Sequence, residues 1–233
     1  MAQDAQLART VVATASCLEV GLMGTRAPIS RHATDGSGAV FFALAEAAPD
    51  CVRLAVPGEP GPVVDVVAYD VSSVAHPGRL RGLVRLSGPA EIVPHPVCEE
   101  LLDHLGVVPG APVAKLVPQT VTLEWGVERR PGEVVSVDPL AYARAGMDAL
   151  AGWQDEWITH LDQHHRDDLR ALVVDELQPV SSLRPVLADA RGLVLREYVG
   201  TCRRDLRVHF PYEVACGCEA QSALADLVAL RTF

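Results

Sequence analysis

Lysine is almost missing from this chain: of its 20 Lys and Arg residues only Lys115 is a lysine. The imbalance fits a compositional bias of the genome and decides nothing about mechanism. Basic residues are also outnumbered, because 30 acids leave a formal charge of −10 at pH 7. That balance argues against a protein that tracks nucleic-acid phosphates and gains affinity by releasing counterions. Short pairs such as Arg129-Arg130 and Arg203-Arg204 do not reverse it. No run of roughly eighteen residues is free of charge and turn signals, so no membrane-spanning helix is expected. The opening MAQDAQLART has an acid ahead of its first Arg and lacks the basic-then-apolar order of a secretory leader. A cytoplasmic protein is the expectation.

Further absences concern chemistry. The six cysteines, Cys17, Cys51, Cys98, Cys202, Cys216 and Cys218, contain no Cys-x-x-Cys pair, which excludes a zinc ribbon and a thioredoxin motif. In a reducing cytosol they are free thiols, and the close pair in CGC at 216–218 carries redox or metal use only as a minor reading. There is no Gly-x-Ser-x-Gly elbow, no glycine-rich phosphate loop with its lysine, and no dinucleotide fingerprint. No nucleophile, base and acid stand together, so the catalytic residues are unknown and the sequence does not say whether this is an enzyme.

What is present is a chain of 233 residues, 49% of them hydrophobic, enough for one large domain or two small ones with real cores. Two halves follow different patterns. From residue 10 to about 137, short apolar runs are broken by Gly and Pro: VVATASCLEV at 11, AVFFALA at 39, VRLAV at 52, VVDVVAYDVSSVA at 63, RLRGLVRLSGPAEIV at 79 and VAKLVPQTVTLEWGVE at 113. They predict six strands, with one helix between the fifth and sixth running from near Pro96 to Gly106, where a glycine can end it. A closed or half-closed antiparallel barrel removes the exposed edges of such a set. DPLAYARAGMDALAG at 138–152 is expected to be a connector. Beyond it come a helical period over 153–177, hairpin-linked strands in LRPVLADARGLVLREYVGTCRRDLRVHFPYEV, and a final helix in EAQSALADLVAL. The expected class is α+β, a six-stranded antiparallel barrel, closed or half-closed, over 1–145 and an α+β domain over 146–233.

The densest polar segment is HLDQHHRDDL at 160–169. Placed on one continuous helix with Trp157 at zero, Ile158, Leu161, Leu169 and Leu172 fall between roughly 40° and 120°. Asp162, Gln163, Arg166 and Arg170 fall opposite. His165 comes out near 80°, inside the apolar arc, and is expected to be substantially buried; His164 and Asp168 border the arc and His160 lies further round. A buried imidazole needs a hydrogen-bond partner, a metal or a cofactor. The plainest reading is a core histidine bonded to a carbonyl. A second reading is a metal ladder of His160, His164 and Asp168, although the Glu that follows the first His of a metalloprotease helix is absent.

HLDQHHRDDLRAL resembles the His-Met-Asn-x-Asp-His-x-Asp-Ala-Leu signature that opens the small C-terminal domain of HugZ-type haem-utilisation proteins and their relatives. His160, His165 and Asp167 match its recurring polar positions; Leu161, Asp162, His164 and Asp168 depart from it. RDLRVHFPYEV and the helix after it are similar to the end of that domain, so the likeness spans about 150–233. The first half is similar in layout to the FMN-binding split barrel of the pyridoxamine-phosphate-oxidase superfamily, with APISRHATDGSGAVFFAL matching its second and third strands. Where HugZ-like barrels carry Ala-His-Thr, this chain reads AEAAPDCVRLAV.

The resemblance implies a haem-binding protein for storage, sensing or degradation. His165 or His160 is then the axial ligand, with His209 or Tyr212 as further candidates and Arg203 and Arg204 as cations for the propionates. It also implies a homodimer. An FMN-dependent oxidoreductase is the flavin alternative; its phosphate-binding elements are not recognisable, and Arg31 and Arg53 are the only candidates for them. The third reading is a non-catalytic interaction or regulatory protein with structural histidines.

Overall fold

The computed structural model describes residues 2–22, 24–43, 61–94, 97–130 and 132–231. The strand expected at VRLAV, together with Cys51, Arg53 and Pro96, lies outside them. The chain has a mixed α+β fold and forms two compact units: residues 1–70, 82–124 and 134–147, and residues 71–81, 125–133 and 148–233. The second unit thus takes in two short segments from the first half of the chain, which a single cut near residue 145 does not assign to it.

The first unit opens with a helix, α1 (Ala2–Thr14), where VVATASCLEV suggested a strand. Ala5, Ala8, Arg9 and Val12 recur at i, i+3, i+4 and i+7 and are all buried, so the helical period wins over the β-preference of the paired valines. The strands follow as β1 (Leu18–Leu22), β2 (Thr25–Ile29), β3 (His32–Thr34), β4 (Val40–Ala43), β5 (Val63–Val71), β6 (Leu80–Ile92), β7 (Val113–Leu116), β8 (Thr120–Trp125) and β9 (Val134–Val137). They form one large antiparallel sheet in the order β2-β1-β5-β6-β7-β4-β3, with β8 pairing β6 and β9. Among the described residues nine strands thus stand in this half, against the six expected. The path has two ends, at β2 and β3, and these are not joined among the described residues.

One expected strand splits in two because Pro118, which has no N–H to give a ladder, interrupts it between β7 and β8. Helix α2 (Glu99–Leu105) begins later than Pro96 but ends where expected. Gly106 sits at φ 67°, donates to Asp103 O, and Val107 N donates to Leu102 O at 3.0 Å, which together form a Schellman cap. The expected connector holds a short helix, α3 (Pro139–Arg144), started by Asp138, whose side chain accepts from the backbone N–H of Leu140 and Ala141.

The second unit layers helices on a three-stranded antiparallel sheet: α4 (Gln154–His164), α5 (Arg166–Leu172), β10 (Ser182–Asp189), β11 (Gly192–Val199), β12 (Cys202–His209) and α6 (Gly217–Arg231). Gly200, at φ 59°, takes the first position of the two-residue loop that joins β11 to β12. Trp157, Ile158, Leu161, Leu169 and Leu172 pack with Leu193, Leu195, Leu206, Phe210, Ala220, Ala223 and Leu224 into one core. The apolar arc expected over residues 157–172 is therefore buried. No helix among the described residues is long and apolar enough to cross a membrane.

Candidate functional site

The HLDQHHRDDL segment is two helices, not one. His165 stands between α4 and α5 at φ −128° and ψ 27°; its N–H donates to Leu161 O at 3.0 Å and its carbonyl accepts from Leu169 N at 2.9 Å. It closes the first helix and starts the second. This break overturns the expectation of a buried His165, because a wheel drawn across it assigns the wrong azimuth to the residue at the junction. Its side chain is 43% exposed. Asp162, within the unbroken first helix, is also inside, at 8% exposure, where its carboxylate accepts from Arg184 at 3.0 Å and Arg166 at 2.9 Å. Paired this way, a carboxylate expected on the wet face ties α4 to β10.

Helices α4, α5 and α6 border a groove of about 460 Å³. Trp157, Leu161, Leu169, Leu224 and Val228 supply its larger apolar side chains, and His160, His165 and Asp168 stand in it as the ionisable groups. The His160 and His165 rings lie 5.1 Å apart and those of His160 and His164 5.0 Å apart. Nδ1 of His165 is 3.0 Å from Oδ2 of Asp168. A volume in the range of roughly 300–1,000 Å³, apolar walls and a few converging polar groups are the usual marks of a small-molecule site.

The expected site residues therefore separate. His160, His165 and Asp168 come together at the groove, whereas His164 is exposed beside it and is not among the lining residues. Among the described residues no group of three His, Cys, Asp or Glu side chains is placed to hold a metal ion, so the ladder of His160, His164 and Asp168 is not assembled; Asp168 serves His165 instead. His209, Tyr212, Arg203 and Arg204 do not line the groove either, and among the described residues no Arg or Lys does. His209 is the last residue of β12, opposite Gly192, and Tyr212 is exposed beyond it.

Arg204 is occupied: its Nε donates to Glu197 Oε2 at 2.5 Å, and it also reaches the carbonyl of Glu176. Burial pushes the Glu197 carboxyl up, but the Gln178 N–H and the Arg204 guanidinium outweigh that and hold it below the usual carboxylate value. Arg31, a candidate for a flavin phosphate, is exposed and packs its guanidinium against the cap glycine Gly106.

Sequence reasoning missed Arg196, which is 1% exposed. It bonds Asp205 on β12 and donates to the carbonyls of Gly78 and Gly126, in the two segments that the second unit draws from the first half of the chain. The signal was available. Arg196 faces Asp205 and Glu197 faces Arg204 across a hairpin centred on Gly200-Thr201, so opposite charges recur at mirrored positions. The CGC segment has a packing role as well: a Cβ on Gly217 would stand 2.8 Å from the ring of Trp153, while Cys216 and Cys218 are exposed free thiols.

No family model matches this chain, and no curated protein does. Among solved structures it is similar to a haem-binding protein from Mycobacterium smegmatis, with a TM-score of 0.61 and 21% identity over 98% of this chain and 97% of that one. That likeness shows a shared fold. A protein of unknown function from Agrobacterium tumefaciens strain C58 matches with a TM-score of 0.42 and 14% identity over 97% of this chain and 95% of its own. An FAD-binding protein from M. smegmatis matches with a TM-score of 0.33 and 17% identity, over 50% of this chain and 90% of that one. Neither of these two bears on the site.

Proposed function

We propose that this protein binds haem or a closely related tetrapyrrole in the groove bordered by α4, α5 and α6. The observation that carries the reading is the presence of two imidazoles, His160 and His165, on a groove that is otherwise mainly apolar. The donor set suits the group: an imidazole is a common iron ligand, and an aliphatic and aromatic lining suits a porphyrin face. Haem held there would supply an iron centre for binding a small ligand or passing an electron. The chain's part is to present an imidazole, exclude water from the macrocycle through Trp157, Leu161, Leu169 and Leu224, and fix the imidazole proton through Asp168.

The shared fold with a haem-binding protein and the HLDQHHRDDL segment both support a HugZ-type protein, with the nine-stranded sheet as its split barrel and haem storage, sensing or degradation as its task. Titration of the purified protein with haemin, followed in the Soret region, tests the reading, with FMN titrated in parallel. A saturable Soret band at one haem per chain supports it. A flavin spectrum with no haem response, or no response to either, sinks it.

A further inference from the structure

We infer that Asp168 is a positioning residue for His165, and that His165, not His160, is the imidazole offered to the iron. The inference rests on the haem-binding reading above and goes past it to the ligand and its support.

His165 sits at the break between α4 and α5, so its ring is not locked by the packing of a helix interior; its side chain is 43% exposed. What orients it is the 3.0 Å contact from Nδ1 to Asp168 Oδ2, three residues on in the first turn of α5. A carboxylate can only accept at that distance, so it selects the tautomer with the proton on Nδ1. Nε2 is left as the nitrogen with a lone pair. A carboxylate behind a histidine in this way orients the ring and raises the basicity of the outer nitrogen, which is the arrangement a metal ligand needs. Among the described residues His160 has no carboxylate bonded to its ring; its contacts are the rings of His164 and His165.

The spacing of the two imidazoles argues in the same direction. Imidazoles gripping one iron from opposite faces need ring centres about 6 Å apart, from two metal–nitrogen bonds of about 2.0 Å and a ring radius at each end. His160 and His165 stand 5.1 Å apart with their planes tilted by 52°. They fit as neighbours on one side of a ligand better than as a clamp around it. One imidazole from this helix pair then meets the iron, and the one with a carboxylate behind it is His165.

The test uses the full-length protein and two kinds of readout. In the apoprotein, nitrogen NMR of the imidazoles reports the tautomer: His165 is expected with its proton on Nδ1, and Asp168→Asn shifts it toward Nε2–H while leaving circular dichroism unchanged. In haemin titrations the wild type is expected to give a high-spin spectrum with one imidazole. Asp168→Asn then weakens haemin binding by about 10- to 100-fold. Asp168→Glu recovers part of that loss, His165→Ala abolishes the wild-type Soret position, and His160→Ala keeps it. A wild-type protein with no Soret response overturns the haem-binding reading itself. A Soret band that survives both His165→Ala and Asp168→Asn unchanged, or a low-spin bis-imidazole spectrum, leaves haem binding standing and overturns this assignment.

Discussion

Arg196 and Asp205 face each other across β11 and β12 and join through two hydrogen bonds, Nε to Oδ1 at 2.6 Å and Nη2 to Oδ2 at 2.9 Å. The pair is nearly out of reach of water, and Arg196 also satisfies the carbonyls of Gly78 and Gly126 while Asp205 accepts from Glu128 N. Arg196→Ala strands a buried carboxylate and two carbonyls, and is expected to cost about 3–5 kcal/mol. Urea unfolding followed by circular dichroism measures it. Replacing both Arg196 and Asp205 by apolar residues is expected to leave much of the loss in place, since the carbonyls remain unpaired; a double variant as stable as wild type would refute this account.

The same contacts bear on a fragment. Because Gly78, Gly126 and Glu128 lie in the segments 71–81 and 125–133 that complete the second unit, a peptide of residues 148–233 alone keeps Asp205 and Asp189 but loses the two carbonyls that Arg196 satisfies and the Glu128 carboxylate that pairs with Arg207. It is expected to lack cooperative thermal unfolding. A sharp calorimetric transition for that fragment would show that the two segments are dispensable.

Gly217 approaches the face of Trp153, which stacks on Trp157 with ring centres 4.6 Å apart. Gly217→Ala puts a methyl group within about 3 Å of that ring and is expected to destabilise by about 1–3 kcal/mol through overpacking, with a change in tryptophan fluorescence. Unaltered fluorescence and melting temperature count against the tight fit.

Glu197 has its carboxyl held below its ordinary value of 4.5 in the folded protein. A depressed carboxylate contributes stability that is full above the unfolded pKa and is lost as pH falls through the folded one. The wild type is therefore expected to exceed Glu197→Gln in melting temperature at pH 6–7, with the gap closing as pH is lowered below about 4.5. Parallel melting curves across that range would mean that the charge on Glu197 contributes nothing.

His164 is exposed and outside the groove, at a position where the HugZ-type signature carries an acid. His164→Asp is expected to stay within about 0.5 kcal/mol of wild type and to titrate with haemin alike. A large loss of haemin affinity would bring His164 into the site.

Patterns with a local cause were legible. The helix end at Gly106, the β10–β12 hairpins, the terminal helix and the apolar arc of Trp157, Ile158, Leu161, Leu169 and Leu172 all follow from period and turn chemistry within a few residues. The paired valines of α1 misled because a β-preference outweighs a helical period only when tertiary packing allows it. Of the polar residues singled out in the segment, His160, His165 and Asp168 line the groove and His164 does not; the exposure of His165 was not legible, because the residue at the junction of α4 and α5 leaves the regular helical azimuth.

The sequence by itself determined where apolar side chains recur and which short segments can turn, and these set the secondary structure of the C-terminal half and the position of the histidine cluster. Only the tertiary structure decided which charges are inside. Asp162, Arg196 and Glu197 are buried because partners on other elements offset the cost of leaving water: Arg184 for Asp162, the facing residues Asp205 and Arg204 for Arg196 and Glu197, and the distant carbonyls of Gly78 and Gly126 for Arg196. That compensation depends on the pairing of strands and helices, so a reading of polarity one residue at a time places such groups on the surface.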